Sequence, residues 1–311
     1  MSQSDDNAAT DSSLPDDGVF SEPLRRVSFE PGMLLGIEAT RAEQAYHRRR
    51  HTRHAYWLHG AGTVAGLRVV MDSTPPKTAG KPWRVRLIIT PGIGVDGLGR
   101  EVSVHEPYAI DLGDWLTAQH ADSTAWGALE RDGLDTAGTT LHLRITMRYQ
   151  DVPSGLQPVM ATAINAGTDP VGPSRIQDTV LYELTPWRPA IGDVPERPFT
   201  AHDDLSAYDD IADRLADHER AAIAAADAAG RRQLQLGARL LFALSDDNTA
   251  LATRESLAVT AAELARTLLA TVTIALDPGG QLVIDPARIV VDNLARPFLF
   301  NASTLARLLR Q

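Results

Sequence analysis

The chain has no cysteine, few aromatic residues and no long apolar run, and each lack removes a class of protein. Without cysteine there are no disulfides, no thiolate metal sites and no cysteine nucleophile. No stretch approaches the roughly 20 apolar residues that a membrane span needs, so no membrane insertion is expected. An overall basic balance, usual in a nucleic-acid binder, is also lacking, although the RRRHTRH run gives one helix a local basic face. Lys and Arg number 30 against 40 Asp and Glu, a formal net charge of -10, so no nucleic-acid partner is expected. The opening stretch MSQSDDNAATDSSLPDD has neither a basic start nor an apolar block. It does not read as a secretory signal, and the lack of cysteine fits a cytoplasmic protein or a particle that must survive outside the cell. No GxSxG nucleophile elbow occurs.

What is present is enough for a real core. At 311 residues and 43% hydrophobic, the chain predicts one large or two modest domains. Residues 1–27 are polar and acidic, with Asp5, Asp6, Asp11, Asp16 and Asp17, and read as a disordered tail or an interaction arm. Residues 28–185 read as a β-rich domain. Pro31-Gly32 marks a turn, a helix is predicted over 38–58, and Gly60 stops it. Strands follow at Val64–Val70 and Trp83–Thr90. Val95–Arg100 forms a hairpin-like turn into Glu101–Val104, and Tyr108–Leu112 is a further strand. A short helix or loop fills 113–138. In Leu141–Tyr149, Leu141, Leu143, Ile145 and Met147 alternate with polar residues, as in an antiparallel sheet with one wet face. Residues 151–173 read as irregular, and Ser174–Leu184 as a strand.

A proline-rich linker over 186–198 then marks a domain boundary. Residues 199–311 read as a separate α+β domain. It has an alanine-rich helix over 203–229 capped by Gly230, an ambiguous apolar run Leu234–Leu244, and a helix start at 260–265. Next come a strand over Leu268–Leu276, a turn at Asp277–Gly280, short strands at Leu282–Ile284 and Ile289–Val291, and a last helix capped by Ser303. The fold class expected is α+β, dominated by antiparallel β structure.

The strongest chemical pattern is on the first helix. His47, His51 and His54 fall at i, i+4 and i+7, within one arc, with Glu43 one turn earlier. Histidines at i, i+4 can bind zinc. The metalloprotease helix, however, places a glutamate directly after its first histidine, whereas Arg48 stands here. Arg49, Arg50 and Arg53 would repel a divalent cation at that range. The helix lacks a clean apolar stripe, which suggests enclosure by several neighbours. Gly92, Gly94, Gly97 and Gly99 are flanked by strands and read as tight-turn glycines rather than a phosphate loop. The carboxylate pairs Asp203-Asp204, Asp209-Asp210 and Asp246-Asp247 point apart on a helix and read as solvated faces or caps. No catalytic residue, cofactor or metal is assigned.

Several short motifs fall in a fixed order. They are Pro31-Gly32-Met33-Leu34-Leu35, Glu43-Gln44, Tyr46-His47, His51, His54 and Leu58-His59-Gly60. Gly62, Val64, Gly66-Leu67, Val69, Pro91-Gly92, Asp96, Gly99-Arg100-Glu101 and Ser174-Arg175-Ile176 follow. This order resembles a family of structural proteins associated with phage-tail-like contractile injection systems. The opening is more faintly similar to the shell domain of a type VI secretion baseplate subunit. The resemblance covers about a third of the chain and does not reach residues 199–311.

It implies a non-enzymatic structural subunit of a contractile injection particle, in its baseplate, cage or cap, that forms a homo-oligomer or ring with other subunits. Such a particle is assembled in the cytoplasm and is released or docks at the cell envelope. Interface candidates are Glu43, Tyr46, His47, Arg49, His51, Arg53, His54, His59, Arg100 and Arg175. Two rival readings stand beside it. One is a metal-dependent hydrolase using His47, His51 and His54. The other is a glycan-binding module at a particle tip, which the scattered Trp57, Trp83, Trp115, Trp126 and Trp187 do little to favour.

Overall fold

The computed structural model describes residues 24–78, 83–158, 171–188, 212–242, 265–277, 282–300 and 303. The chain is an α+β protein with β emphasis, about 38% strand against 32% helix, in three antiparallel sheets with five helices among the described residues.

Helix α1 spans Ile37–His59 and is led in by the Pro31-Gly32 turn, where Gly32 takes a φ of +88°. Gly60 ends it with a φ of +76°, a backbone state that glycine adopts without a Cβ clash. Strand β1 is Gly62–Gly66, β2 Val69–Thr74, β3 Arg84–Ile89, β4 Gly92–Val95, β5 Glu101–Val104 and β6 Tyr108–Asp111. They form two small sheets, ordered β1-β4-β5 and β2-β3-β6. The strand expected over Val64–Val70 is in fact two strands in different sheets. The chain switches sheets at Leu67, which is fully buried and holds a φ of 56°. That left-handed conformation is costly for a branched side chain and persists because the surroundings over-determine it.

The region 113–138 holds two helices, α2 (Leu112–Ala121) and α3 (Ser123–Gly133), capped by the carboxylates of Asp111 and Asp122. Strands β7 (Thr140–Pro158) and β8 (Val171–Pro186) are longer than the sequence pattern suggests. The stretches 151–158 and 171–173, expected to be irregular, continue the ladder as far as Pro158↔Val171. Pro153 and Pro173 are tolerated because this part of the pair is a two-stranded ribbon beyond the reach of β9.

The domain boundary needs correction. Strands β9 (Thr267–Ala275) and β10 (Ile289–Asp292) do not belong to a separate C-terminal domain. They complete the third sheet, ordered β10-β9-β7-β8. The chain divides into one unit of residues 1–189 with 261–311 and a second of 190–260. The β-branched run of β9 satisfies the free edge of β7, a long-range pairing that local composition does not reveal. Residues 282–284 are not strand.

The core of the first unit is continuous. Val85, Leu87 and Ile89 of β3 and Leu141, Leu143, Ile145 and Met147 of β7 point into it with Leu269, Val272 and Ile274 of β9. In the second unit, helices α4 (Asp217–Ala225) and α5 (Ala228–Phe242) pack through Leu215, Ile223 and Ala238. Gly230 lies inside α5 rather than capping the preceding helix, which ends at Ala225. The positions 203–211, 243–244, 260–264, 278–281 and 304–311, to which helices, caps or turns were assigned, lie outside the described residues, as does the tail over 1–23.

Candidate functional site

The glycine-punctuated block packs backbone against backbone. A Cβ on Gly66 would lie 2.2 Å from the Pro91 carbonyl oxygen, and one on Gly92 would lie 2.3 Å from that of Ala65. These glycines permit strand approach and leave no hollow for a phosphate. The other wall of this block is the segment after β10. Thr63 donates its N–H to the Pro297 carbonyl at 2.9 Å, and Leu299 returns one to Thr63 at 2.9 Å. Asn293 accepts from Val69 N–H at 2.8 Å and donates to the Val69 carbonyl at 2.9 Å. Arg296, 2% exposed, donates to the Leu67 carbonyl at 2.6 Å and to Asn293 Oδ1 at 2.6 Å. Burial pushes the Arg296 guanidinium down to about 10. The C-terminal residues thus hold the strained Leu67 turn in place. Sequence reasoning missed Asn293 and Arg296. Their signal was a dense polar run, DNLAR, following a hydrophobic strand.

Helix α1 runs beside this block and the ribbon. A cleft of about 820 Å³ is lined by its residues His47, Arg48, Arg50, His51, Thr52 and His54, and by Arg100, Glu101, Tyr149 and Asp178. A second cleft of about 520 Å³, with Phe29, Leu35, Ala39 and Ile176 on its walls, shares His47, Arg48, Tyr149 and Asp178.

Within the larger cleft the 96–100 turn places a buried ion pair. Asp96 Oδ1 accepts from the N–H groups of Leu98 (3.0 Å) and Arg100 (2.8 Å), and Oδ2 accepts from Arg100 Nε at 2.7 Å. Gly99, at φ +81°, lets the turn close. Burial pushes the Asp96 carboxyl up, against the opposing pull of Arg100. The Arg100 guanidinium carbon lies 5.1 Å from the Tyr149 ring centroid, within cation–π range. The Tyr149 hydroxyl reaches Asp151 Oδ1 at 2.5 Å and Asp178 Oδ1 at 2.8 Å, the two carboxylates facing each other across the ribbon. Burial first, then those two carboxylates, push the phenol up. A phenol held protonated is the opposite of an activated base or nucleophile, and Asp96 is saturated with donors. Neither Tyr149 nor Asp96 is thereby poised for proton transfer; both position their neighbours.

The predicted site residues divide into two groups. His47, His51, His54 and Arg100 meet in the larger cleft, and Glu43 with His47 in the smaller. Glu43 accepts from Val27 N–H at 3.0 Å and lies 3.0 Å from His47 Nε2. Tyr46 accepts from Arg50 at 3.0 Å. His54 pairs edge-to-face with His59. Arg49 and Arg53 are partly buried on the helix, and Arg175 is exposed on the ribbon. No group of three or more His, Asp or Glu side chains among the described residues is placed to hold a metal ion. The enclosure expected for the helix is not found among the described residues. Of the helix side chains that are described, Thr52 and Ala55 are buried, while most of the others face solvent. Among the described residues, no helix is long and apolar enough to cross a membrane.

Comparison with models of protein families gives no match, and comparison with curated proteins gives none either.

Proposed function

We propose that this chain is a non-enzymatic assembly subunit that acts through protein–protein contact, with helix α1 and the segment before it as the docking element. The supporting observation is the apolar surface exposed there among the described residues. Leu34 is fully exposed, and Phe29, Met33, Leu35, Ile37 and Leu58 are each at least half exposed. Exposed apolar residues are normal when scattered, but a contiguous run beside a groove marks an interaction site. The β7–β8 ribbon adds Val152, Leu156 and Ile176, also exposed, and two-stranded ribbons are marginal without cover.

The ordered motifs that resemble the contractile-injection structural family make a subunit of such a particle, in its baseplate, cage or cap, the favoured setting. The partners are copies of this chain in a homo-oligomer or ring, together with other particle subunits. The particle is assembled in the cytoplasm and is released or docks at the cell envelope. Light scattering with elemental analysis of the same purified sample tests the reading. A discrete oligomer without stoichiometric metal is expected; a metal-loaded monomer would overturn it in favour of the hydrolase reading on His47, His51 and His54.

A further inference from the structure

Two surfaces of the first unit carry opposite charge. Helix α1 holds five arginines and four histidines against Glu38 and Glu43. His47, Arg50, His51 and His54 fall at i, i+3, i+4 and i+7, so they form one stripe along the helix, and all four are exposed. Among the described side chains of the helix, the large apolar residues left exposed are Ile37 and Leu58, at its two ends. The middle of the stripe therefore suits an acidic surface better than an apolar one.

Such a surface lies elsewhere in the same unit. Residues 111–138, which hold helices α2 and α3, carry six carboxylates against one arginine, and that arginine, Arg131, pairs with Asp132 at 2.7 Å. Asp114, Asp122, Glu130 and Asp132 are exposed. Asp122 caps α3 through Oδ1, 2.8 Å from Thr124 N–H, and Glu130 accepts from Trp126 Nε1 through Oε1 at 2.9 Å. Each carboxylate has a second oxygen for a further donor. The two surfaces do not meet within one copy. Helix α3 packs at the Leu141 and Pro186 end of β7 and β8, whereas the stripe lies beside Tyr149 and Asp178, about 26 Å further along the same strands.

We propose that a second copy of this chain supplies the match: the α2–α3 face of one copy covers the basic stripe of helix α1 of the next, joining copies head to tail. A contact between two different patches is heterologous, and it closes into a ring when its rotation allows. Opposed charge fixes the register of the contact and rejects the helix-to-helix alternative, which sets two basic stripes against each other. The inference rests on the assembly reading and names the surface that its copies share.

The test is a charge swap in the full chain, read by light scattering across protein concentrations. Arg50→Glu/His51→Glu reverses the stripe and Asp114→Lys/Glu130→Lys reverses the acidic face, all at exposed positions. Each double variant alone is expected to need at least about tenfold more protein than wild type to reach half assembly, a step of roughly 1.4 kcal/mol. An equimolar mixture of the two is expected to assemble near the wild-type concentration, since each then offers the other a match. The milder Asp114→Asn/Glu130→Gln keeps both side-chain shapes and is expected to shift half assembly in the same direction; it decides the matter if the lysine variant lacks the wild-type urea transition. A folded face variant that assembles as wild type does, or a mixture of folded variants that does not recover, would overturn the proposal and leave the assembly reading standing. A wild-type chain that stays monomeric at every concentration would overturn both.

Discussion

Two regions of this molecule solve the problem of polar and apolar surface in opposite ways. The block from Gly62 to Val104 closes on itself. Its glycines bring strands into backbone contact, its one buried carboxylate is saturated, and Asn293 and Arg296 satisfy the turn at Leu67. Among the described residues, helix α1 and the ribbon do not close. Their charges face solvent and a cleft, and Leu34, Ile37, Leu156 and Ile176 are exposed. A region complete in itself is what folding stability requires; the open region with its 23-residue helix is where the proposed partner would dock.

The sharpest way to break the closed region is Gly66→Ala. The new Cβ would meet the Pro91 oxygen at 2.2 Å in a backbone already at φ +67°. A loss of at least about 4 kcal/mol, or failure to fold, is expected in urea denaturation, since backbone cannot yield as a flexible side chain can. Asp96→Ala comes next. It strands the Arg100 charge in a buried site, with an expected cost of about 3–5 kcal/mol by the same measurement.

Asp111→Asn has a smaller effect, and one that depends on pH. Burial pushes this carboxyl up, but hydrogen bonds from Arg84, Asp114 N–H and Gly113 N–H outweigh it, so the folded value lies below the ordinary one. A depressed carboxyl contributes stability above the unfolded value of about 3.9, which is lost as pH falls through the folded value. Because Arg84 is well exposed, the expected loss at neutral pH is about 1 kcal/mol. The gap between variant and wild-type urea midpoints should shrink as pH falls below about 4. In the open region, Leu34→Ser/Ile37→Ser should change stability by under about 0.5 kcal/mol. Its light-scattering mass should nonetheless fall relative to wild type. A large stability loss with unchanged mass would reverse the contrast between the two regions.

The alternation at Leu141–Met147, the helix over 38–58 and the 95–100 turn were legible because each is local: period two, a terminal glycine, and an Asp-to-Arg span closed by Gly99. Where β9 belongs was not legible, because Thr267–Ala275 pairs with a strand more than 100 residues earlier. The β7–β8 ribbon was hidden by Pro153, Gly155 and Pro173, which mark irregular chain locally yet sit within the ribbon. On the site, the helix histidines and Arg100 were visible as motif residues. Tyr149, Asp151 and Asp178 were not, since they converge only through strand register. The same holds for Arg296, whose partner Leu67 lies at the other end of the chain.

The most direct test of the contrast is amide hydrogen exchange at the lowest and highest attainable protein concentrations. Exchange in strands β1, β3, β4 and β5 should be slow and independent of concentration, because their hydrogen bonds are intrinsic to the fold. Exchange across Ile37–His59 should slow markedly as concentration rises and copies cover the helix. Identical exchange of helix α1 at both concentrations would contradict the account.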